Sequence, residues 1–190
     1  METLIDLDKL FFIFLNSLGS EFFDSFWMFV TDKKSSIPLY FFLIYYIFKK
    51  LSNNDFLKYL ILIIILIVFT DQFSGLFKDY FERFRPCHDT SINDSIRIVK
   101  DGCGGLYGFF SAHAANSFAL ATFFYFSFRK ISSNFKYLFL WAIIVSYSRI
   151  YIGVHFPGDI IIGSCFGIII GYLFSITSFT IFFNWSSKLP

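Results

Sequence analysis

The stretch that most limits what this chain can become is the apolar run Leu60–Phe69, the centre of a longer apolar segment from Phe56 to Phe77. Coiled at about 1.5 Å per residue, that segment can cross the ~30 Å hydrocarbon core of a bilayer. Four more apolar segments point the same way, so spanning helices are expected over residues 35–51, 56–77, 112–128, 135–150 and 160–183. The first has a strictly apolar run of only Ile37–Phe48 and must lean on snorkelling Lys49 and Lys50. Composition agrees, with 56% hydrophobic residues against 16% charged, the balance of a membrane protein. The 31 Phe and 11 Tyr suit lipid contact and the interface belts. With 190 residues, the expected fold is a single all-α polytopic membrane bundle spanning residues 1–190. A net charge of +2 is too small to indicate a nucleic-acid partner.

The opening METLIDLDKL is acidic, with neither a basic leader nor a small-residue cleavage site, and does not read as a signal peptide. Residues 4–30 are apolar but broken at Gly19-Ser20, with Glu21 and Asp24 just beyond. A spanning helix would bury both carboxylates. Two amphipathic helices within residues 1–31, lying in the interface with Phe22, Phe23, Phe26 and Trp27 towards lipid, are therefore expected; a distorted span over 10–30 is the alternative. Residues 31–36 form a polar hinge, and Pro38 stands near the start of the first span. In the last apolar segment, Gly163, Gly167 and Gly171 recur every four residues and permit close helix packing, inside the monomer first and between copies second.

Residues 78–110 form one long polar loop, too long for a mere connector, with Gly102, Gly104, Gly105 and Gly108 near its end. Five spans bring this loop, the start of the third apolar segment and the turn between the last two to one side of the membrane. The opposite side carries Lys49, Lys50, Lys58, Arg129, Lys130, Lys136 and Lys188 against Asp55 alone. An excess of lysine and arginine marks the cytoplasmic side, which puts the long loop on the outer face.

Three clusters meet on that face. Lys78 and Arg85 are seven residues apart, so both point one way if the helix runs on to Phe84; Pro86 encourages Arg85 to leave the helix. Ser111, Ala112 and His113 open the third apolar segment, where free backbone N–H groups favour an anion and Ser111 can cap. His113 stands ready to give a proton to an oxygen leaving that anion. Arg149, His155 and Asp159 lie in Ser148-Arg149-Ile150-Tyr151-Ile152-Gly153-Val154-His155-Phe156-Pro157-Gly158-Asp159. Asp159, four residues after His155, can hold one ring nitrogen and leave the other as a nucleophile, while Arg149 can fork onto phosphate oxygens. Each cluster alone also fits a basic collar or a helix cap. Together they supply three fixed cations, a helix N-terminus, two histidines and an orienting acid, the set phosphoryl transfer requires without a metal.

Lys78-x6-Arg85-Pro86, Ser111-Ala112-His113 and Ser148-Arg149-x5-His155-x3-Asp159 resemble the three-part signature of the type-2 phosphatidic acid phosphatase superfamily, over about residues 71–160. The first and third parts match in full. The middle one departs, with Phe110 and Ala112 where the family usually has proline and glycine. Alanine still lets the backbone approach phosphate, so a tuned site is expected, not a dead one. The resemblance implies an all-helical membrane fold and a metal-free enzyme acting on a lipid phosphate at the bilayer, with no cofactor. It makes His155 the nucleophile that becomes a phosphohistidine, Asp159 its orienter, and His113 the acid and then the base. Lys78, Arg85, Arg149, Ser111 and the amides near Ala112 would hold the phosphate. Lipid classes the family suggests are undecaprenyl pyrophosphate, lipid A, phosphatidylglycerol phosphate and phosphatidic acid. Transfer of the phosphoryl group to a lipid or sugar acceptor, and a non-catalytic anion-binding role, are the competing readings.

Lesser candidates surround these. Asp71, seven residues before Lys78, can support that lysine by a salt bridge or make a helix-packing hydrogen bond instead. Arg97 and Lys100 are either head-group readers or solvated loop charges, and His88 reads as a loop residue. Cys87 and Cys103 share the polar loop and can form a disulfide only if it faces an oxidising compartment; Cys165 lies in an apolar helix.

Overall fold

The computed structural model describes residues 2–100 and 102–181; Lys188 and the last two residues of the fifth expected span lie outside them. The described residues form seven α-helices: α1 (Glu2–Ser17), α2 (Glu21–Thr31), α3 (Ile37–Lys50), α4 (Asn53–Phe81), α5 (Ala112–Phe128), α6 (Tyr137–Tyr151) and α7 (Pro157–Ile181). Among the described residues there is no strand, only an isolated bridge between Phe84 and Tyr107. The five expected apolar segments become α3 to α7. Of these, α4 and α7 have the length and hydropathy to cross a bilayer. The other three are shorter, at 14, 17 and 15 residues.

Local chemistry sets the helix ends. Ser52 caps α4 by accepting the Asp55 N–H at 3.2 Å, and Ser111 caps α5. At its other end α4 stops at Phe81, where Glu82 adopts a left-handed conformation at φ 45°. The helix therefore does not reach Phe84. Arg85 leaves it in extended conformation, its N–H bonded to the Leu106 carbonyl at 3.1 Å, as the proline after it favours.

α5 is the axial helix, buried on most of its faces. Its Phe123, Phe124 and Phe128 pack with Ile63 and Leu66 of α4, Leu43 and Ile47 of α3, and Phe135. Along its other side runs α7, brought close by the glycine stripe. A Cβ at Gly163 would lie 2.7 Å from the Ser111 carbonyl oxygen. At Gly167 and Gly171 it would run into the carbonyl oxygens of Ala115 and Ala119. The stripe is thus spent inside the monomer. Large apolar side chains on the outward faces of α3, α4 and α7 are exposed, Phe41, Ile64 and Leu173 among them, as lipid-facing positions require.

α1 and α2 break at Leu18-Gly19-Ser20, as the sequence suggests, and lie across the end of the bundle that holds the long loop. Phe22, Phe23 and Phe26 are exposed, whereas Trp27 is half-buried. It stacks on Tyr151 at 5.2 Å and meets Tyr147 edge-on at 5.1 Å, because α2 lies against α6. Asn16 pins the pair down from a fully buried position. Its Nδ2 donates to the carbonyls of Arg97, Ile150 and Tyr151 at 3.0–3.1 Å, and its Oδ1 accepts the Arg97 N–H at 2.7 Å.

Candidate active site

The site is built where the polar loop, the start of α5, and the turn between α6 and α7 converge. That turn follows from Gly153, at φ +84°, where a Cβ would lie 2.7 Å from the Arg97 carbonyl oxygen. Only glycine adopts that conformation without strain so close to another backbone. The turn lets the Arg149 carbonyl accept the N–H groups of Val154 and His155 at 3.1 and 3.3 Å, folding the arginine and the histidine onto each other.

His155 is 2% exposed. Its Nδ1 faces Asp159 Oδ2 at 3.3 Å, and its Nε2 faces Arg85 Nη1 at 3.3 Å. A carboxylate only accepts here and a guanidinium only donates, so the proton sits on Nδ1 and Nε2 keeps its lone pair. Burial first, then the charges of Arg149, Arg85 and Lys78, hold the His155 pKa well below the ordinary 6.5, against a hydrogen bond to the Gly108 backbone. The imidazole is therefore neutral at pH 7. That is the state in which Nε2 can attack an electrophile.

Asp159 is fully buried. Its Oδ2 also accepts the Phe156 N–H at 3.1 Å, its Oδ1 accepts from Arg83 Nη1 at 2.8 Å, and its carbonyl accepts the Ser111 N–H at 3.1 Å. This last bond joins the beginnings of α5 and α7. Ser111 Oγ meets the Ala114 N–H at 3.5 Å, and Ser74 on α4 donates to the Phe110 carbonyl at 3.0 Å. Phe110, where the resembled family has proline, is buried against Phe77 and Phe166. Ala112 is the first residue of α5, and His113 beside it faces the backbone of Thr31. Of the loop glycines, Gly108 touches the site; a Cβ there would lie 3.2 Å from both Arg85 Cγ and Asp159 Oδ2.

The three cations take up positions around His155. Arg149 donates from Nη1 to Thr31 Oγ1 at 2.6 Å, and Arg85 reaches the Val154 carbonyl at 3.4 Å. The Nε groups of both arginines are buried without a hydrogen-bond partner. Unfilled buried donors on charged groups are costly unless an anion arrives to accept from them. A cavity of about 320 Å³ opens beside His113, lined by Ala112, Thr31, Lys33, Asp71, Asn116 and Trp141 among others. A wider apolar groove of about 1190 Å³ runs on the other side of the Arg83–Phe156 pair, between α1 and Phe81, Phe109 and Ile162.

The structure brings together Lys78, Arg85, Ser111, Ala112, His113, Arg149, His155 and Asp159 in one region. Asp71 accepts from Asn116 Nδ2 at 3.4 Å, the helix-packing alternative. Arg97 is not a free loop charge: it pairs with Asp24 at 3.0 Å over the Tyr151 ring. His88 sits exposed in a short turn. Cys87 and Cys103 are joined as a disulfide, with Cα atoms 6.0 Å apart, and Cys165 is free and exposed. Sequence reasoning passed over Arg83, Asp8 and Thr31. Arg83 stands inside the Lys78–Arg85 interval, yet its partners are 75 and 76 residues away.

With this geometry in place, relatives can be compared. The family model of the PAP2 superfamily matches residues 56–183. A lipid A 4'-phosphatase from Bacteroides thetaiotaomicron is 37% identical over 176 residues, 92% of this chain and 78% of its own length. Another, from Porphyromonas gingivalis, is 33% identical over 175 residues, 90% of this chain and 73% of its own. The crystal structure of Aquifex aeolicus LpxE superimposes with a TM-score of 0.65 at 24% identity, covering 90% of this chain and 93% of that one. The first transmembrane PAP2-type phosphatidylglycerolphosphate phosphatase from Bacillus subtilis gives a TM-score of 0.72 at 19% identity, covering 95% and 89%.

Proposed function

The chain belongs to the PAP2 superfamily as a membrane lipid phosphatase, and from that premise we propose that it removes a phosphate monoester from a lipid A-class glycolipid through a phosphohistidine on His155. The observation that carries the reaction is the buried His155, its Nδ1 facing Asp159 and its Nε2 facing Arg85, set among Arg85, Arg149 and Lys78 with two buried guanidinium donors unfilled. The lipid class rests on the two lipid A 4'-phosphatases, similar over nine-tenths of the chain.

In the first step Nε2 of His155 attacks phosphorus, the P–N bond forms as the P–O bond to the lipid breaks, and His113 gives its proton to the departing oxygen. Asp159 accepts the Nδ1–H throughout and steadies the positive charge the ring acquires. In the second step water attacks phosphorus, His113 takes its proton, and the P–N electron pair returns to Nε2. Arg85, Arg149 and Lys78, with Ser111 and the first amides of α5, carry the charge on the phosphoryl oxygens, which is the task a metal performs in other phosphatases. α3 to α7 cross the bilayer with the site on the outer face, and α1 and α2 lie in the interface, where the head group of a lipid is found.

The test is phosphate release by the purified chain, with EDTA present, from a lipid A preparation, phosphatidylglycerol phosphate, phosphatidic acid and undecaprenyl pyrophosphate. Release greatest on lipid A, surviving EDTA and abolished in His155→Ala, is the expected result. Loss of activity with EDTA would refute the metal-free mechanism, and preference for another lipid would refute the substrate.

A further inference from the structure

α1 lies outside the residues matched by the family model, which begin at residue 56. It nevertheless reaches the catalytic carboxylate. Asp8 Oδ2 accepts from Arg83 Nη2 at 2.6 Å, and Arg83 Nη1 donates to Asp159 Oδ1 at 2.8 Å. Asp159 Oδ2 in turn faces His155 Nδ1 at 3.3 Å. The chain of contacts is short, charge-assisted and mostly shielded: the side chains of Asp8, Arg83 and Asp159 are 16%, 23% and 0% exposed. We propose that Asp8 is a positioning residue for the phosphatase reaction, acting through Arg83 and Asp159 on the nucleophile His155, so that α1 is a working part of the active site; this rests on the site reading above.

Two features of Asp8 separate this role from ordinary helix anchoring. Its second oxygen, Oδ1, accepts the Gly158 N–H at 2.8 Å, so one carboxylate holds both the arginine and the first turn of the helix that bears Asp159. An acid at a helix N-terminus is favourable on its own account. Gly158 is shaped for it: a Cβ there would lie 2.7 Å from Asp8 Oδ2. The Arg83 guanidinium also lies 4.3 Å over the Phe156 ring, and Phe156 packs edge-on to Phe12 of α1 at 5.3 Å. The guanidinium is thus fixed on three sides, by Asp8, Phe156 and Asp159. Without Asp8 its Nη2 end has lost its anion, and the full positive charge of Arg83 bears on Asp159 alone. That weakens Asp159 as an acceptor for the His155 Nδ1–H at the moment when the ring becomes positive.

The experiment uses the full chain in detergent, with steady-state phosphate release from the best lipid substrate and melting measured side by side. Asp8→Asn keeps an oxygen for the Gly158 N–H and removes the charge opposite Arg83. It is expected to lower kcat on the order of 10-fold, with KM within about twofold and melting close to wild type. Lys9→Ala removes a separate anchor of α1, the pairs to Asp89 at 2.7 Å and Ser91 at 2.8 Å, and should lower melting while leaving kcat unchanged. In Arg83→Gln, adding Asp8→Asn should cost nothing further, since the path is already cut. Wild-type kcat in Asp8→Asn, or additive losses in the double variant, would overturn the inference. His155→Ala is run alongside: if it retains activity, the site reading falls and this inference with it, whereas an inactive His155→Ala beside an unaffected Asp8→Asn sinks only the role of Asp8.

Discussion

The same substitution, glycine to alanine, should have opposite effects at two positions. At Gly167 an added Cβ would run into the Ala115 carbonyl oxygen and lie 3.0 Å from the Ala119 nitrogen and 3.1 Å from the Ala115 carbonyl carbon, where 3.4–4 Å is ordinary contact. All three atoms are backbone, so no side chain can swing aside. Relief comes from α7 backing away from α5 by about 1 Å, and overpacking of this kind costs about 1–3 kcal/mol. For a chain of this size that is a fall in melting temperature of about 2–12 °C. The displacement also has a chemical consequence. α5 begins at Ser111 and His113, α7 begins beside Asp159, and the Ser111 N–H to Asp159 carbonyl bond of 3.1 Å ties the two starts together. A shift of about 1 Å in catalytic geometry costs up to ~10²-fold in rate, so Gly167→Ala should lose about 10- to 100-fold in kcat. Gly75, in the middle of α4, has no atom within 4 Å of the corresponding position. Gly75→Ala should therefore stabilise, by about 0.5–1 kcal/mol, with activity retained. Melting by intrinsic fluorescence and phosphate release on the two variants decide the matter. A Gly167→Ala protein that melts and turns over like wild type would refute the close seam. One that melts early with wild-type kcat would show that the seam does not set the geometry of the site.

Arg149→Lys keeps the charge but loses the fork that meets Thr31 and the phosphate; activity should fall about 100-fold, and wild-type turnover in that variant would make the arginine structural. Thiol labelling of the unreduced protein should find Cys165 and neither Cys87 nor Cys103; labelling of all three would contradict both the disulfide and the outward-facing loop. Stability should also depend on pH through His155. The unfolded chain takes up a proton near the ordinary pKa of 6.5 that the buried imidazole refuses. Stability is therefore complete above that pH and falls as pH drops, until the folded pKa is reached, by up to about 1.4 kcal/mol per unit. His155→Gln should be flatter between pH 6.5 and about 5; equal slopes in the two proteins would show that His155 is not held neutral.

What could be read from the chain follows from how local each signal is. Spanning segments are stretches of side chains that lipid alone must accommodate, so Phe56–Phe77 announces α4 without reference to any partner. Gly163, Gly167 and Gly171 share a face by helical periodicity alone, and any close neighbour would use it. Arg85 beside Pro86, Ser111 before α5, and His155 four residues from Asp159 carry their roles in their spacing. The helix end at Glu82 was not legible, because Phe81 to Phe84 contains no glycine or proline to announce a stop; the Arg85–Leu106 hydrogen bond and the Phe84–Tyr107 bridge hold the extended path that follows.

Helix positions, the end of the bundle where the motifs gather, and the basic residues grouped with His155 were thus legible along the chain alone. Packing of the helices settled which side chains hold one another. Trp27 packs on Tyr147 and Tyr151 because α2 lies on α6. Arg97 meets Asp24, and Asp71 meets Asn116, only where the helices pack together. Asp8 and Thr31 entered the site from helices that bear no motif at all. A hydrogen bond acts over about 3 Å, and its partners can be 118 or 150 residues apart, as Thr31–Arg149 and Asp8–Gly158 are. Periodicity along a chain reports which face a residue shares, and only packing brings the faces together.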